Sequence, residues 1–376
     1  MKTRIALLRE MGLPAPYQQS RPIHIEEAEL APPGFGEVLI KVKVAGLCHS
    51  DLSVINGSRP RIMPMALGHE SSSEVVEVGP GVDQLRPGDH VVTVFVPSCG
   101  HCNPCMSGRP ALCEPGAAAN TNGVLLGGER RLHMGKEEIN HHLGVSCFSD
   151  YAVVSQRSCV KIEAELSHQE ASLFGCAVLT GAGAVINRSG IRAGNSIAIV
   201  GLGGVGLSGL MAAVAAGAQR IVGVELDPGK RELARTLGAT HVIDPRTIKS
   251  DQELLDAAGG PVDIGYDAAG AVPAFEAAYK LTCRGGVTMT TGLPHPKHMF
   301  SLPISQLVGQ ERDIRGSYLG SGVPAISINH YVSLYKAGKL PVDKLLGKSF
   351  KLEEVNEGFD HLASGSGLRD SITLDS

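Results

Sequence analysis

Neither sign of charge dominates this chain. Its 34 lysines and arginines stand against 38 aspartates and glutamates, a formal net charge of −4 over 376 residues. That balance lacks the electrostatic footprint of a nucleic-acid or anionic-membrane binder, so neither partner is expected. The chain also lacks internal repeats and low-complexity linkers. No cleavable leader is expected, because the apolar patch after Lys2 and Arg4 ends at Arg9 and Glu10. Nine cysteines without such a leader point to a reducing cytoplasm, where thiols serve metals. One stretch, 197–218, carries no charge and is long enough for a bilayer. Its G-L-G-G-V-G run reads instead as a buried strand followed by a packed helix, and no membrane span is expected. What is present, 43% hydrophobic and 19% charged residues, suits a globular protein long enough for two domains.

To about residue 178 the pattern is one of short strands divided by turns. Residues 38–44 alternate and are rich in β-branched side chains, 73–78 and 90–96 look similar, and Pro-Gly pairs at 33–34, 80–81 and 87–88 punctuate them. From about 180 the texture changes. Apolar strands at Ser196–Val200, 221–225, 241–244, Val262–Asp267 and 287–291 alternate with helical segments such as 205–216 and 229–237. Strands alternating with helices imply a parallel, doubly wound sheet. After about Gly320 the chain has little core of its own and is expected to return to the first domain. The expected fold is therefore α/β. A β-rich domain comprises 1–178 and 320–376, and a doubly wound parallel-sheet domain comprises 179–319.

Four cysteines, Cys99, Cys102, Cys105 and Cys113, are spaced C-x2-C-x2-C-x7-C in a turn-rich stretch filled with glycine and proline. Four thiolates so close together suit a tetrahedral structural zinc, which stabilises a loop too polar to build its own core. The alternative, a disulfide knot, is disfavoured by the compartment. Further along, Gly201, Gly203 and Gly206 form G-x-G-x-x-G between a strand and a helix, and Glu225 ends the following strand. Such glycines let backbone approach a pyrophosphate at a helix N-terminus. Glu225 would accept from the adenosine ribose hydroxyls and repel a 2′-phosphate, which favours NAD over NADP. Cys48 in G-L-C-H-S-D, His69 in L-G-H-E and Cys176 in F-G-C-A make a Cys-His-Cys set. Two thiolates and one imidazole would hold a catalytic zinc with one position open to a substrate oxygen.

These motifs, in this order and over nearly the whole chain, resemble the zinc-dependent medium-chain alcohol dehydrogenases. The long stretch 117–143 resembles the animal and plant branch, whose members are usually dimers. The resemblance implies a GroES-like domain joined to a Rossmann domain, two zinc ions per chain, NAD, and a small alcohol or aldehyde substrate. It implies that Cys48, His69 and Cys176 hold the catalytic zinc, with Glu70 beside it and Asp51 orienting the ligand histidine. Ser50 would take the alcohol proton, and His49 would lie near the coenzyme pyrophosphate. Gly204, Val205, Lys230, Thr180, Gly292, Leu293 and Arg369 are implied coenzyme contacts; for Lys230 and Arg369 the plainer alternative is a solvated surface charge. Phe95, His142, Leu143 and Tyr318 are implied pocket residues; for His142 the plainer alternative is an exposed loop histidine. Two departures stand out. Ser53 occupies the place of a proton-relaying histidine and does not titrate near neutrality. The loop Ser58, Arg59, Pro60, Arg61 and the residue Ala117 lack the acids and the arginine of the branch that oxidises the glutathione adduct of formaldehyde. That activity and a non-catalytic zinc- and nucleotide-binding role are the alternatives to a primary or secondary alcohol dehydrogenase.

Overall fold

A computed structural model describes residues 1–163 and 165–374. The chain divides into two compact units. The first contains Met1–Cys176, Val323–Asn329 and Leu345–Ser376; the second contains Ala177–Gly322 and His330–Lys344. The segment after Gly320 was expected to return whole to the first domain, but His330–Lys344 groups with the second unit.

In the first unit, strands Lys2–Leu8, Ile23–Leu30, Leu132–Met134, Glu137–His141 and Met65–Ala66 close into a barrel. A seven-stranded sheet is centred on Glu37–Gly46, which pairs with Ser71–Val78, Tyr151–Ser155 and Arg369–Thr373. The central strand shows why alternation matters. Side chains along a strand point to opposite faces, so Val38, Ile40 and Val42 enter one apolar core with Phe148, Phe359 and Ile372. Leu39 between them enters a second core with Ile5, Leu7, Leu30 and Val153. The strand expected at 90–96 is shorter, His90–Thr93.

The second unit is a six-stranded, wholly parallel sheet. Its spatial order is His241–Ile243, Arg220–Val224, Ser196–Val200, Val262–Asp267, Thr282–Thr290, Asp313–Gly316. Counted in chain order this is 3-2-1-4-5-6, the doubly wound arrangement that binds dinucleotides where the strand order reverses. Ala198, Val200, Val222, Val224 and Ile243 pack with Leu254 and Leu281 beneath it. Strands covered on both faces read as continuous apolar runs, which is why these were legible. The uncharged stretch at 197–218 resolves into the strand Ser196–Val200 and the helix Gly204–Ala215. Among the described residues one helix, His168–Ser189, is long and apolar enough to cross a membrane, and most of it is buried inside the protein.

Candidate active site

Cys48 ends the turn after strand Glu37–Gly46 and caps helix His49–Ile55. Its extended backbone lets the sulfur accept the N–H of Ser50 at 3.5 Å. The Ser50 hydroxyl lies 3.6 Å from the same sulfur. Asp51, in the first helical turn, is fully buried. His69 follows Gly68, whose φ of +103° only glycine adopts without strain; a Cβ there would lie 2.4 Å from the Phe148 nitrogen. That turn drives both His69 and Glu70 into the interior, where each is 0% exposed.

The donor atoms of Cys48, His69, Glu70 and Cys176 all lie within 4.8 Å of one another. His69 Nδ1 stands 2.9 Å from Asp51 Oδ2, which leaves Nε2 for the sulfur side. Among the described residues Nε2 is buried without a hydrogen-bond partner, as is Glu70 Oε2. Buried polar atoms are seldom left unsatisfied unless a ligand or ion completes them. The electrostatics agree. A hydrogen bond from the Cys176 thiol holds Cys48 well below the ordinary thiol range against the cost of burial, with His69 adding to the effect. The same contact, with burial, pushes Cys176 well up. For His69, burial opposes the charged ring, but Asp51 and Cys48 raise it well above its usual value. Glu70 is pushed up to about 7 by burial, with Arg369 pulling against that rise. Two sulfurs, an imidazole and a carboxylate converging in this way fit zinc, with two soft sulfur donors and a borderline nitrogen.

Cys99, Cys102, Cys105 and Cys113 also converge within 4.8 Å, and all nine cysteines are free thiols. The disulfide alternative is therefore not realised. Backbone N–H groups of Cys99 and Gly116 donate to Cys113 Sγ, and that of Cys102 donates to Cys99 Sγ. Although burial opposes it, the Cys99 thiol is held at about 7 by the N–H groups of His101 and Cys102. Burial pushes Cys105 up to about 12. Four sulfur donors converging in this way likewise fit a metal.

Around the first cluster, Phe95 stands edge-on to His69 with ring centroids 5.5 Å apart. Leu143 is buried, with φ of +52°. His142 is no exposed loop residue: it is 1% exposed, and its Nδ1 lies 2.9 Å from Asp51 Oδ1. Neither imidazole contact to Asp51 is aligned as a straight hydrogen bond. Arg369, expected to meet coenzyme phosphate, is buried and ion-paired with Glu70. His49 is exposed and Ser50 half-buried. The Ser53 hydroxyl donates to the His49 carbonyl at 2.7 Å. The Asp51–His142 contact and the Glu70–Arg369 pair escaped sequence reasoning; a polar His-His doublet before an apolar wall was the one available signal.

The second unit carries the glycine motif. Helix Gly204–Ala215 begins after Gly203, where an added Cβ would meet nothing within 4 Å, whereas at Gly206 it would lie 1.8 Å from the Gly201 carbonyl oxygen. Gly206 thus permits the tight turn, and Gly203 leaves open space at the helix start, where a pyrophosphate fits. Val205 is half-buried in the first turn. Glu225 accepts the N–H groups of Leu202 at 2.7 Å and Asp227 at 3.0 Å, fixing its carboxylate at the strand end. Lys230 follows in helix Pro228–Thr236. Thr180 and Gly292 are half-buried, while Leu293 and Tyr318 are exposed.

Comparison with known proteins matches residues 34–164 to the alcohol dehydrogenase GroES-like domain and 204–334 to the zinc-binding dehydrogenase domain. The chain is 36% identical to an NDMA-dependent alcohol dehydrogenase of Amycolatopsis methanolica over 99% of both chains. It is 34% identical to an S-(hydroxymethyl)glutathione dehydrogenase of Synechocystis over 99% of this chain and 100% of that one. The solved structure of benzyl alcohol dehydrogenase from Acinetobacter calcoaceticus superposes with a TM-score of 0.92, 30% identity and full coverage of both chains.

Proposed function

For a chain that belongs to the zinc-dependent medium-chain alcohol dehydrogenase family, we propose that the substrate is a primary alcohol bearing a medium-length or aromatic group. Membership makes the protein an oxidoreductase acting on CH–OH groups, with zinc and NAD as its cofactors. Cys48, His69 and Cys176 would hold the catalytic metal and Cys99, Cys102, Cys105 and Cys113 the structural one. Bound there, the first metal would supply Lewis acidity that lowers an alcohol's pKa, and NAD would supply the hydride acceptor.

The protein's own part is positioning and proton removal. Ser50, beside the Cys48 sulfur, takes the alcohol proton. Ser53 cannot pass it on by titrating, so the proton leaves through water or the exposed His49. Phe95 forms an apolar wall against His69. Glu225 and the open face at Gly203 receive the ribose and the pyrophosphate. Orienting the two reactants can supply roughly 7 kcal/mol of barrier reduction. The observation that carries this reading is the convergence of Cys48, His69 and Cys176 on one buried point. The aromatic preference draws on the likeness to benzyl alcohol dehydrogenase. A second reading, oxidation of the glutathione adduct of formaldehyde, draws on the Synechocystis relative.

A homodimer in the cytoplasm completes the proposal. The edge strand Asp313–Gly316 and the exposed Ile304, Val308 and Ile314 support edge-to-edge pairing of two copies. The nine free thiols support the compartment. The test is NADH formation with a panel of aliphatic and aromatic alcohols, and with formaldehyde with and without glutathione. Turnover of benzyl or medium-chain alcohols supports the first reading, and a strict glutathione requirement supports the second. Sedimentation of the purified chain decides the dimer.

A further inference from the structure

Asp51 is shared between two imidazoles. Its Oδ2 lies 2.9 Å from Nδ1 of His69, and its Oδ1 lies 2.9 Å from Nδ1 of His142 while accepting the Gly68 N–H at 3.1 Å. All three side chains are at least nine-tenths buried, and the two rings stand edge to face with centroids 5.6 Å apart. His142 is itself fixed. Its N–H donates to the Ala66 carbonyl and to the Ser146 hydroxyl, and Ser146 in turn donates to Ala66. Strand Met65–Ala66 therefore anchors the His142 backbone only three residues before His69.

We infer that His142 is a positioning residue for the metal centre: it pins the Asp51 carboxylate, which in turn sets the orientation of the His69 ring. This goes beyond the expected role as a pocket wall, and it rests on the proposed assignment of His69 as a zinc ligand. The physical reason is rotational. A carboxylate held at one oxygen by a single backbone N–H can swing about its Cβ–Cγ bond. A second polar contact on that oxygen, from a ring nitrogen 2.9 Å away on a side chain that is itself buried and anchored, limits the swing. The other oxygen then faces Nδ1 of His69 at one angle, and Nε2 faces the sulfurs. Groups that orient a metal-ligating histidine are worth about 10–100-fold in metal affinity, and Asp51 acts in that way only as well as it is held.

The test uses the zinc-loaded protein, with release of zinc to a chromophoric chelator followed in time and the visible spectrum of the cobalt-substituted protein recorded. The structural zinc is the internal control. His142→Phe keeps a ring and removes the nitrogen that contacts Asp51, with His142→Leu as the substitute should the larger ring prevent folding. His142→Asn keeps an N–H near the position of Nδ1. Zinc is expected to leave the catalytic site roughly 10–100 times faster in the apolar variant. The cobalt spectrum should change, release from the cysteine lobe should not, and His142→Asn should restore both signals. Equal release in wild type and the apolar variant would overturn the inference. So would equal losses in the apolar and asparagine variants, or a third metal ion lost together with His142. A wild-type chain holding zinc only in the lobe would overturn the proposed function itself, and this inference with it.

Discussion

Glu70 and Arg369 form a buried ion pair that ties the strand beginning at Arg369 to the turn carrying His69. Breaking a buried pair by removing one partner strands the other charge in a dry interior and costs about 3–5 kcal/mol. Arg369→Met is therefore expected to lower the unfolding midpoint markedly. Adding Glu70→Gln should recover part of the loss, because the stranded carboxylate is gone. Thermal unfolding of the two variants measures this. An Arg369→Met protein as stable as wild type would mean that the pair contributes nothing.

Coenzyme choice rests on Glu225, whose carboxylate is held by the N–H groups of Leu202 and Asp227. Replacing it by serine should raise the NADP-to-NAD ratio of kcat/KM roughly 10–100-fold, the worth of a hydrogen bond to a charged group. An unchanged ratio would assign discrimination to another residue.

His90 and His168 share the Ser72 hydroxyl, with ring centroids 4.2 Å apart. Burial first, and the neighbouring His168 second, lower His90 from its ordinary 6.5 to about 4. The folded state then binds fewer protons than the unfolded state between pH 4 and 6.5. Stability from this site is complete above 6.5 and is lost as pH falls toward 4. Unfolding midpoints should drop across that window, and the drop should be shallower in His90→Asn. Buried His141, lowered to about 3 by burial, contributes in the same direction, so the comparison between variants is what isolates His90.

Much of this was legible in the sequence, for physical reasons. Four sulfurs within one turn-rich loop, and glycines spaced where a helix must open without side chains, are local demands that show in local spacing. The apolar strands of the doubly wound sheet showed because both of their faces are covered. What stayed hidden is what tertiary structure brings together. Asp51 meets His142, and Glu70 meets Arg369, only after the barrel and the sheet close. Strand Thr282–Thr290 looked shorter because Gly285 and Gly286 interrupt its β-branched pattern, and its pairing register shifts near its start. Helix Pro324–Lys336 has a weakly amphipathic sequence that does not announce which unit its residues join.

The lobe separates from the catalytic centre in a chelation experiment. Cys105→Ser removes one of four converging sulfurs. It should release the lobe zinc and lower the unfolding midpoint, leaving the metal at Cys48, His69 and Cys176 in place. Zinc analysis of the folded fraction checks this; loss of both ions together would mean that the two sites are not independent.

The most direct test of the whole account is zinc stoichiometry and NADH formation measured side by side for wild type and Cys48→Ala. Wild type is expected to hold two zinc ions and to form NADH in an alcohol-dependent way. The variant should hold one zinc ion, show no turnover, and keep an intact cysteine lobe. Alcohol oxidation that survives in Cys48→Ala would contradict the account.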